Sequence, residues 1–367
     1  MTKIRVGLVF GGKSGEHEVS IRSAKSIYEA LDKNKYDVVL IGIDKAGKWL
    51  LAETVRFKAL AENPKRPALP YASRTDEILP FTKSNSTHLI SPYTGQNFQT
   101  IDVFFPIVHG TYGEDGSLQG LFELLDTAYV GAGVLGSGIG MDKDVMKRLL
   151  QQNKIPVGKC KVLKKYEVKD NILNDVIRNL KLPLFVKPAN LGSSVGVSKV
   201  NNREELQKAV HQAFQYDTKV LIEKYIRGRE VECSVLGNDS PIASLPGEII
   251  PRHEFYSYEA KYLDENGAEL IIPAQIDKKT TKKIQSMAIK VFRTLECSGM
   301  ARVDFFLTAD NKVIVNEINT LPGFTRISMY PKLWDASGIP YTQLLDTLIN
   351  LAIEKKKDRD LLIREYK

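Results

Sequence analysis

The chain has 367 residues, of which 43% are hydrophobic and 26% charged, so we expect a soluble globular protein of two or three domains. No apolar run is long enough to cross a membrane, and the start at MTKIRVGLVF lacks the apolar core of a signal peptide, so we expect a cytoplasmic protein without a membrane partner. The three cysteines lack metal-binding spacing and predict reduced thiols, and the net charge of +8 comes from scattered lysines, which does not favour a nucleic-acid partner.

The N-terminal segment predicts an alternation of strands and helices. Strands at 4–10 and 38–43 flank a helix at 19–31, and this order implies a parallel sheet. The glycine-rich loop Gly11–Gly15 lacks the pattern GxGxxG, and the acidic segment Glu16–Glu18 lies where a pyrophosphate would bind. A nicotinamide cofactor is therefore not expected.

The next segment is less regular. From about Phe57 to Gln99 the sequence is rich in Pro, Ser and Thr, which predicts irregular turns and short β segments. A strand from Ile101 to Val108 then ends at the loop His109–Gly116. Because ligands of open α/β sheets bind beyond the carboxyl ends of strands, this loop is a candidate ligand site. Its pair Glu114-Asp115 fits either a chemical role or a helix N-terminal charge pair.

The glycine-rich run Gly131–Gly138 predicts a domain boundary. A third region is expected to begin near Val220. The elements predicted after the glycine-rich run are a helix from Met141 to Gln152, strands at 156–163 and 184–187 around a helix at 174–180, strands at 220–226 and 230–236, a helix at 278–295 and a closing amphipathic helix at 344–355.

A lysine and a loop of small residues follow an apolar strand at Lys187–Val197. Glycine and serine let backbone N–H groups surround phosphate oxygens, and a lysine supplies a positive charge. The loop lacks the GK[ST] of a Walker motif, and a plain flexible β-turn explains the same letters about as well. Glu223–Ile226 reads either as an edge strand or as a strand end that contacts an adenine edge, with Glu230 near the ribose.

The segment Gly299–Phe324 predicts a β-hairpin that gathers polar groups on one face. Its strands are 302–307 and 313–319, and its loop is expected at Asp310-Asn311. The turn Leu321–Gly323 follows, and its glycine leaves a backbone N–H able to approach a ligand.

This hairpin places Asp304 opposite Glu317 and Arg302 opposite Asn319, if the loop has two residues. Two carboxylates and an amide oxygen would then converge, and such hard oxygen ligands suit Mg²⁺ bound together with nucleotide phosphates. An ordinary cross-strand ion pair between Arg302 and Glu317 explains the local pattern equally well. The hairpin therefore suggests an ATP site without establishing one.

Seven motifs taken together resemble the D-alanine–D-alanine ligases of the ATP-grasp superfamily. In chain order they are GGKSGEHEVS at 11–20, HGTYGEDGSLQG at 109–120, MDK at 141–143, VKPANLGSSVG at 186–196, YEAKY at 258–262, ARVDFF at 301–306 and NEINTLPG at 316–323. The resemblance implies an α/β (α+β) fold of three domains and a homodimer. The domains would be an N-terminal parallel-sheet preATP-grasp domain at 1–130, a central ATP-grasp subdomain at 131–218 and a C-terminal subdomain at 219–367, with a lid at about 246–273 and the hairpin at 299–324.

The resemblance also implies roles for residues at matching positions. Two Mg²⁺ ions, or Mn²⁺, would bind Asp304, Glu317 and Asn319. ATP would be held by Lys143, Lys187, Ser193, Ser194, Glu223, Lys224, Tyr225, Ile226, Glu230, Lys261, Asn316 and Glu317. In some family members a glutamate stands where this chain has Leu191, so no role transfers to that side chain.

The implied amino-acid site uses a second set of residues. Glu16 would take the ammonium of the first D-alanine and link through Ser193 to Tyr262, while Arg302 and the Gly323 N–H would stabilise the oxyanion. The remaining implied substrate contacts are His109, which could equally be structural, and Lys261 and Ser328, which would hold the carboxylate of the second D-alanine.

The implied reaction is ATP-dependent ligation of two D-alanines through a D-alanyl phosphate, with release of ADP and phosphate, for peptidoglycan synthesis. A D-alanine–D-lactate ligase and another carboxylate–amine ligase of the superfamily stay open as alternatives. Tyr262 bears on this choice because relatives with phenylalanine there make the ester. The polar lid with Tyr256, Tyr258 and Tyr262 would keep water from the acyl phosphate, although a plain surface loop would have a similar sequence.

Overall fold

The computed structural model describes residues 2–54, 57, 76–83, 86–252 and 267–363. Half of the predicted lid, residues 253–266 with Tyr256, Tyr258, Lys261 and Tyr262, lies outside the described residues. None of the described helices combines the length and the apolar character needed to cross a membrane.

The N-terminal part forms a five-stranded sheet in the order β3-β2-β1-β7-β8. Its main strands pair in parallel, as the sequence predicts, and only β3 is antiparallel. β1 is buried on both faces, as is usual for a central parallel strand. The elements are β1 (Ile4–Gly11), α1 (His17–Ala30), β2 (Tyr36–Ile43), β3 (Trp49–Leu51), β4 (Leu79–Lys83), β5 (Ser86–Ile90), β6 (Asn97–Ile101), β7 (Val103–Pro106), α2 (Ser117–Leu124) and β8 (Ala128–Tyr129).

The short β segments predicted before residue 99 are present as a small antiparallel sheet in the order β4-β5-β6. The single strand predicted from Ile101 to Val108 is wrong, because the chain passes from one sheet to the other at Asp102. The Asp102 carboxylate accepts a hydrogen bond from the Arg5 backbone N–H at 2.7 Å, and the Asp102 N–H donates to the Arg5 carbonyl at 3.0 Å. These bonds fix the point where β6 ends and β7 begins.

Two helices follow the first sheet, α3 (Val134–Met141) and α4 (Lys143–Gln152). α3 begins within the glycine-rich run that predicts a domain boundary. α4 begins and ends close to the predicted bounds, and the Asp142 side chain caps it by accepting from the N–H groups of Asp144 and Val145, each at 3.1 Å.

The central part is a four-stranded antiparallel sheet in the order β11-β10-β12-β9, covered by α5 and α6. Its elements are β9 (Cys160–Lys164), a 3₁₀ turn (Lys165–Glu167), α5 (Asp170–Leu180), β10 (Leu184–Pro188), β11 (Ser198–Val200), α6 (Arg203–Ala213) and β12 (Lys219–Lys224). The predicted boundary after residue 218 falls directly before β12, whose hydrogen bonds belong to this sheet.

The strand predicted at 156–163 begins later than expected, at Cys160. The preceding segment pairs elsewhere, since Val157 bridges Val315 and the Val315 N–H donates to the Pro156 carbonyl at 2.9 Å. This contact ties the start of the central part to the C-terminal sheet.

The C-terminal part is a six-stranded sheet in the order β16-β15-β13-β17-β18, with β14 beside β13. Its elements are β13 (Arg229–Gly237), β14 (Ile242–Ala243), β15 (Gly247–Pro251), β16 (Ala268–Ile271), α7 (Lys278–Thr294), β17 (Gly299–Leu307) and β18 (Val313–Asn319). α7 packs on one face together with α4. The opposite face carries the polar residues of the hairpin.

The hairpin has the predicted pairing, with Asp304 opposite Glu317 and Arg302 opposite Asn319. The predicted two-residue loop is wrong, because Thr308 to Lys312 form the loop and Phe305 faces Val315. Between the pairs Phe305–Val315 and Asp304–Glu317 a β-bulge adds one residue, Asn316, to the second strand. The added residue offsets the longer loop, so that the polar end of the hairpin has the predicted pairing.

Two helices end the described chain, α8 (Met329–Ala336) and α9 (Tyr341–Asp360). Leu344, Leu345, Leu348 and Ile349 of α9 are buried in the same hydrophobic cluster as residues of β1 and β7. The last helix therefore completes the core of the first sheet.

Candidate active site

A cavity of about 510 Å³ lies between the four-stranded and six-stranded sheets. This volume is typical of a small-molecule site. Apolar side chains such as Phe185, Ile249 and Phe306 form part of its wall. The wall also contains every predicted nucleotide-binding residue of the described chain, namely Lys143, Lys187, Ser193, Ser194, Glu223, Lys224, Tyr225, Ile226, Glu230, Asn316 and Glu317. The predicted contact Lys261 lies outside the described residues.

A buried carboxylate sits between two lysines at the floor of this cavity. Glu223 Oε1 lies 2.7 Å from Lys147 Nζ, and Glu223 Oε2 lies 2.5 Å from Lys187 Nζ. Burial alone would raise the pKa of Glu223, but attraction to Lys147 and Lys187 lowers it to about 2. For Lys187, burial is likewise outweighed by Glu223, and its pKa is raised. Glu223 and Lys187 are therefore charged at neutral pH, and the Glu223 carboxylate holds Lys187 at the start of the small-residue loop.

Lys143 joins three parts of the site. Its N–H donates to the Ala189 carbonyl at 3.1 Å, its Nζ donates to the Leu191 carbonyl at 2.7 Å, and its Nζ lies 3.6 Å from Glu317 Oε2. Burial lowers the pKa of Lys143, although Glu317 opposes this shift. The helix start predicted from MDK thus places a cation between the small-residue loop and the hairpin.

The small-residue loop is held in an uncommon backbone conformation. Ser193 and Ser194 have φ angles of 51° and 60°, in the left-handed region, which costs about 1 kcal/mol for a residue with a Cβ. The start of the loop is fixed by Asp217, which accepts from the Asn190 backbone N–H at 2.8 Å and from its Nδ2 at 3.0 Å. Such strain persists where surrounding contacts hold it, and it is common at ligand sites.

The polar end of the hairpin holds a half-buried arginine between carboxylates. Arg302 Nε and Nη2 donate to Asp304 Oδ1 and Oδ2, each at 2.7 Å, and Asn319 Nδ2 donates to Asp304 Oδ2 at 3.0 Å. Arg302 Nε also lies 2.8 Å from Glu232 Oε2. Burial opposes the charge of Arg302, but Asp304 and Glu232 raise its pKa well above the usual value. Glu317 also contributes to this rise in the pKa of Arg302, after Asp304 and Glu232.

The donor set of the hairpin fits a hard divalent cation. Asp304, Glu317 and Asn319 supply carboxylate and amide oxygens on neighbouring strands. Within the described ranges, no group of three or more His, Cys, Asp or Glu residues forms a metal site by itself. A metal here would therefore need further oxygen ligands, such as those of a bound phosphate.

The predicted amino-acid site lies where the N-terminal loops meet the small-residue loop. Ser193 Oγ donates a hydrogen bond to Glu16 Oε1, as the resemblance implies. Glu114 is nearby, and its Oε1 accepts from the Gly110 N–H at 2.8 Å. Burial and then the charge of Glu16 raise the pKa of Glu114 to about 8. The acidic side chains of Glu16 and Glu114 therefore lie close together next to the small-residue loop.

His109 connects this region to the turn after the hairpin. Its Nδ1 lies 3.2 Å from the Leu321 carbonyl, its Nε2 lies 3.3 Å from Ser23 Oγ, and burial lowers its pKa. A neutral imidazole therefore connects α1 to the turn. A direct substrate contact of His109 stays a prediction.

Gly323 and Ser328 lie next to each other in the turn that follows the hairpin. A Cβ built on Gly323 would lie 2.9 Å from Ser328 Oγ, so a larger residue there would force Ser328 to shift. Ser328 precedes α8, and its Oγ accepts from the Thr325 N–H at 3.0 Å. The turn thus brings a backbone group and a hydroxyl to the same place.

The sequence reasoning missed Lys147 and Glu232 and left Glu114 undecided. Lys147 lies four residues after Lys143 on the same helix face, and Glu232 lies two residues after Glu230 on the same strand face. These spacings are the signals that could have found them.

Comparisons with known proteins agree with this geometry. The family models described as D-ala D-ala ligase N-terminus and D-ala D-ala ligase C-terminus match residues 5–132 and 149–350. The chain is 52% identical over 355 residues to D-alanine–D-alanine ligase A of Salmonella typhimurium, with 97% of each chain covered. It is 49% identical over 360 residues to the D-alanine–D-alanine ligase of Oceanobacillus iheyensis, with 98% of each chain covered.

Two solved structures are similar over nearly the whole chain. The D-alanine-D-alanine ligase from Coxiella burnetii has a TM-score of 0.86 and 41% identity, covering 99% of this chain and 98% of that one. The VanG D-Ala:D-Ser ligase from Enterococcus faecalis has a TM-score of 0.83 and 35% identity, covering 96% of this chain and 100% of that one.

Proposed function

The chain belongs to the D-alanine–D-alanine ligase family of ATP-grasp enzymes, and from this premise we propose how its residues carry out the reaction. The activity is the ATP-dependent joining of two D-alanines for cell-wall synthesis. The observation that carries the residue assignment is the cavity between the two sheets, because its wall collects the predicted nucleotide-binding residues beside the Ser193–Glu16 contact.

We propose that ATP occupies this cavity with its base toward the strand end Glu223–Ile226 and its phosphates toward the small-residue loop. Phe185 and Phe306 would supply apolar contact, Glu230 would bind the ribose, and Lys187 would bind the phosphates. All four residues line the cavity, which supports these roles. The Lys187–Glu223 ion pair favours this arrangement because it fixes a charged ammonium at a buried position.

The hairpin would hold two divalent cations through Asp304, Glu317 and Asn319. When bound, Mg²⁺ or Mn²⁺ neutralises charge on the phosphoryl group. Asp304 and Glu317 present oxygens to the same face, and Lys143 near Glu317 adds a further positive charge for the transferring phosphate. These protein charges position the phosphate rather than form covalent bonds with it.

Glu16 is proposed to bind the ammonium of the first D-alanine, with Ser193 holding the Glu16 carboxylate. The carboxylate oxygen of this D-alanine attacks the γ-phosphorus of ATP, the bond to the β-γ bridging oxygen breaks, and ADP leaves. D-alanyl phosphate results. No protein nucleophile takes part, which agrees with a site built from charged and backbone groups.

The amine of the second D-alanine then attacks the acyl carbon, a C–N bond forms, and phosphate leaves with the electrons of the C–O bond while the amine proton passes to solvent. Arg302 and the Gly323 N–H are proposed to stabilise the oxyanion. Ser328 and Lys261 are proposed to hold the second carboxylate, with Tyr262 linked to Ser193. A closed lid over this region would keep water from the acyl phosphate.

We also propose a cytoplasmic homodimer assembled mainly through the N-terminal part. ATP as a substrate supports the location, and the family supports the assembly. Sedimentation equilibrium tests the dimer, and a mass equal to one chain at micromolar concentration would contradict it.

The reaction is tested by mass spectrometry of products from ATP, Mg²⁺ and D-alanine, with parallel mixtures containing L-alanine, D-serine or D-lactate. D-alanyl-D-alanine with stoichiometric ADP and phosphate, and no product from L-alanine, is expected. A preferred mixed product with D-serine or D-lactate would reassign the second substrate. ADP release without any ligated product would overturn the substrate class.

A further inference from the structure

Glu232 is a buried carboxylate that touches the active-site arginine but belongs to none of the assigned ligand sets. It lies on β13 directly opposite Asp304 of β17, which in turn lies opposite Glu317 of β18. The three carboxylates thus form a row across adjacent strands. Glu232 Oε2 is 2.8 Å from Arg302 Nε, and the residue is only 6% exposed.

Arg302 and a metal ion would compete for Asp304. In the structure the guanidinium donates to both oxygens of Asp304, each at 2.7 Å. Two cations on one carboxylate repel each other in a site that is largely shielded from solvent, so metal binding at Asp304 favours a position of Arg302 farther from that carboxylate. In that position the largely buried guanidinium needs another anion, and Glu232 already lies within contact distance of its Nε.

We propose that Glu232 is a positioning residue that holds Arg302 through its Nε while Asp304 binds the divalent cation. The Nη groups of Arg302 then face the reacting oxygens, and Asp304 is released for the metal. This inference rests on the proposed function, since it assumes that Asp304 is a metal ligand and Arg302 an oxyanion contact. It assigns to Glu232 both an effect on metal affinity and an effect on the orientation of the arginine.

The test is equilibrium binding of Mn²⁺ to the full-length protein saturated with ADP, followed by electron paramagnetic resonance of free Mn²⁺. Glu232→Gln keeps the shape of the side chain and removes its charge. We expect the dissociation constant of Mn²⁺ to rise about tenfold, the usual size of an effect on a residue that orients a metal ligand. Glu232→Asp keeps the charge but is too short to reach Nε, so positioning predicts a similar rise for it, and this variant covers a misfolded glutamine variant.

Repeating the substitution in a variant that lacks Arg302 separates a positioning effect of Glu232 from a general effect of its negative charge. Loss of any negative charge near the site weakens cation binding, but only positioning acts through Arg302. In an Arg302→Met background, Glu232→Gln is therefore expected to change the Mn²⁺ dissociation constant less than twofold. An equal loss in both backgrounds, or no loss in the wild-type background, would overturn the proposal.

The control is Glu123→Gln. Glu123 is another carboxylate paired with a guanidinium, that of Arg359, and it lies on α2 away from the cavity. Its variant is expected to bind Mn²⁺ as the wild type does. A wild-type protein that binds Mn²⁺ in this way but makes no dipeptide would refute the substrate assignment and leave the role of Glu232 in place.

Discussion

Glu223→Gln tests the buried charge cluster at the floor of the cavity that is proposed to bind ATP. The substitution keeps the volume of the side chain but leaves the ammonium groups of Lys147 and Lys187 without the carboxylate that lies 2.7 Å and 2.5 Å from them. The pKa of Glu223 falls from 4.5 to about 2 on folding. Each pKa unit corresponds to about 1.4 kcal/mol, so the charged carboxylate contributes about 3 kcal/mol to the free energy of unfolding at neutral pH.

The pH window follows from the sign of this shift. A carboxyl group whose pKa is lowered by folding stabilises the folded state fully at pH values above its unfolded-state pKa. This stabilisation is lost as the pH falls toward the folded-state pKa. The loss of unfolding free energy caused by Glu223→Gln, relative to wild type, should therefore be constant between about pH 6 and pH 8. It should become smaller below about pH 4.5.

The assay is thermal unfolding without nucleotide, followed by circular dichroism. A loss of about 3 kcal/mol corresponds to a decrease in Tm of roughly 6–12 °C for a domain of ordinary size. The control is Glu18→Gln, because Glu18 also lies 2.7 Å from a lysine, Lys45, but Lys45 is 51% exposed. That exposed pair should cost at most about 1 kcal/mol. Equal Tm values for the two variants, or a difference from wild type that is as large at about pH 3 as at about pH 7, would refute the reasoning.

The remaining predictions concern the reaction and its pH dependence. Asp304→Asn or Glu317→Gln should abolish dipeptide formation while circular dichroism shows a folded protein, and retained Mg²⁺-dependent turnover would contradict the metal assignment. Burial raises the pKa of Glu114 to about 8, so the folded protein holds a proton that the unfolded chain releases, and stability should fall as pH rises from 4.5 to about 8. Glu114→Gln should remove this decline, and parallel pH profiles of Tm would count against it. Tyr262→Phe should raise formation of D-alanyl-D-lactate relative to dipeptide, and product ratios identical to wild type with both acceptors would sink the idea.

The pairing of the hairpin could be predicted from the sequence, whereas its loop could not. Side-chain alternation and turn residues were enough to place Asp304 opposite Glu317. The bulge at Asn316 lies next to Val315, whose N–H donates to the carbonyl of Pro156, a residue from a distant part of the chain. A contact between distant segments leaves no pattern in the local sequence. The predicted loop was too short and the bulge was not predicted, and these two errors cancelled at the pair Asp304–Glu317.

Buried charges were harder to find than buried apolar residues. Lys147 and Glu232 read as ordinary polar positions in the sequence, because their ion-pair partners lie on other elements. The sequence shows which residues share a face, but only the packed sheets show that this face borders a cavity. The motifs contain the residues proposed to bind the ligands, whereas the charged groups that pair with those residues follow from three-dimensional contacts.

The position of α9 has a consequence for how the protein is made. Leu344 and Leu348 fill the same core as Phe105, yet roughly 240 residues separate them, which a ribosome adds in on the order of 10 s. During that interval the first sheet lacks part of its hydrophobic cover, so the nascent N-terminal segment exposes apolar surface to chaperones and to other chains. The core of the N-terminal sheet, which is synthesised first, is therefore complete only after α9, close to the end of the chain, has been synthesised.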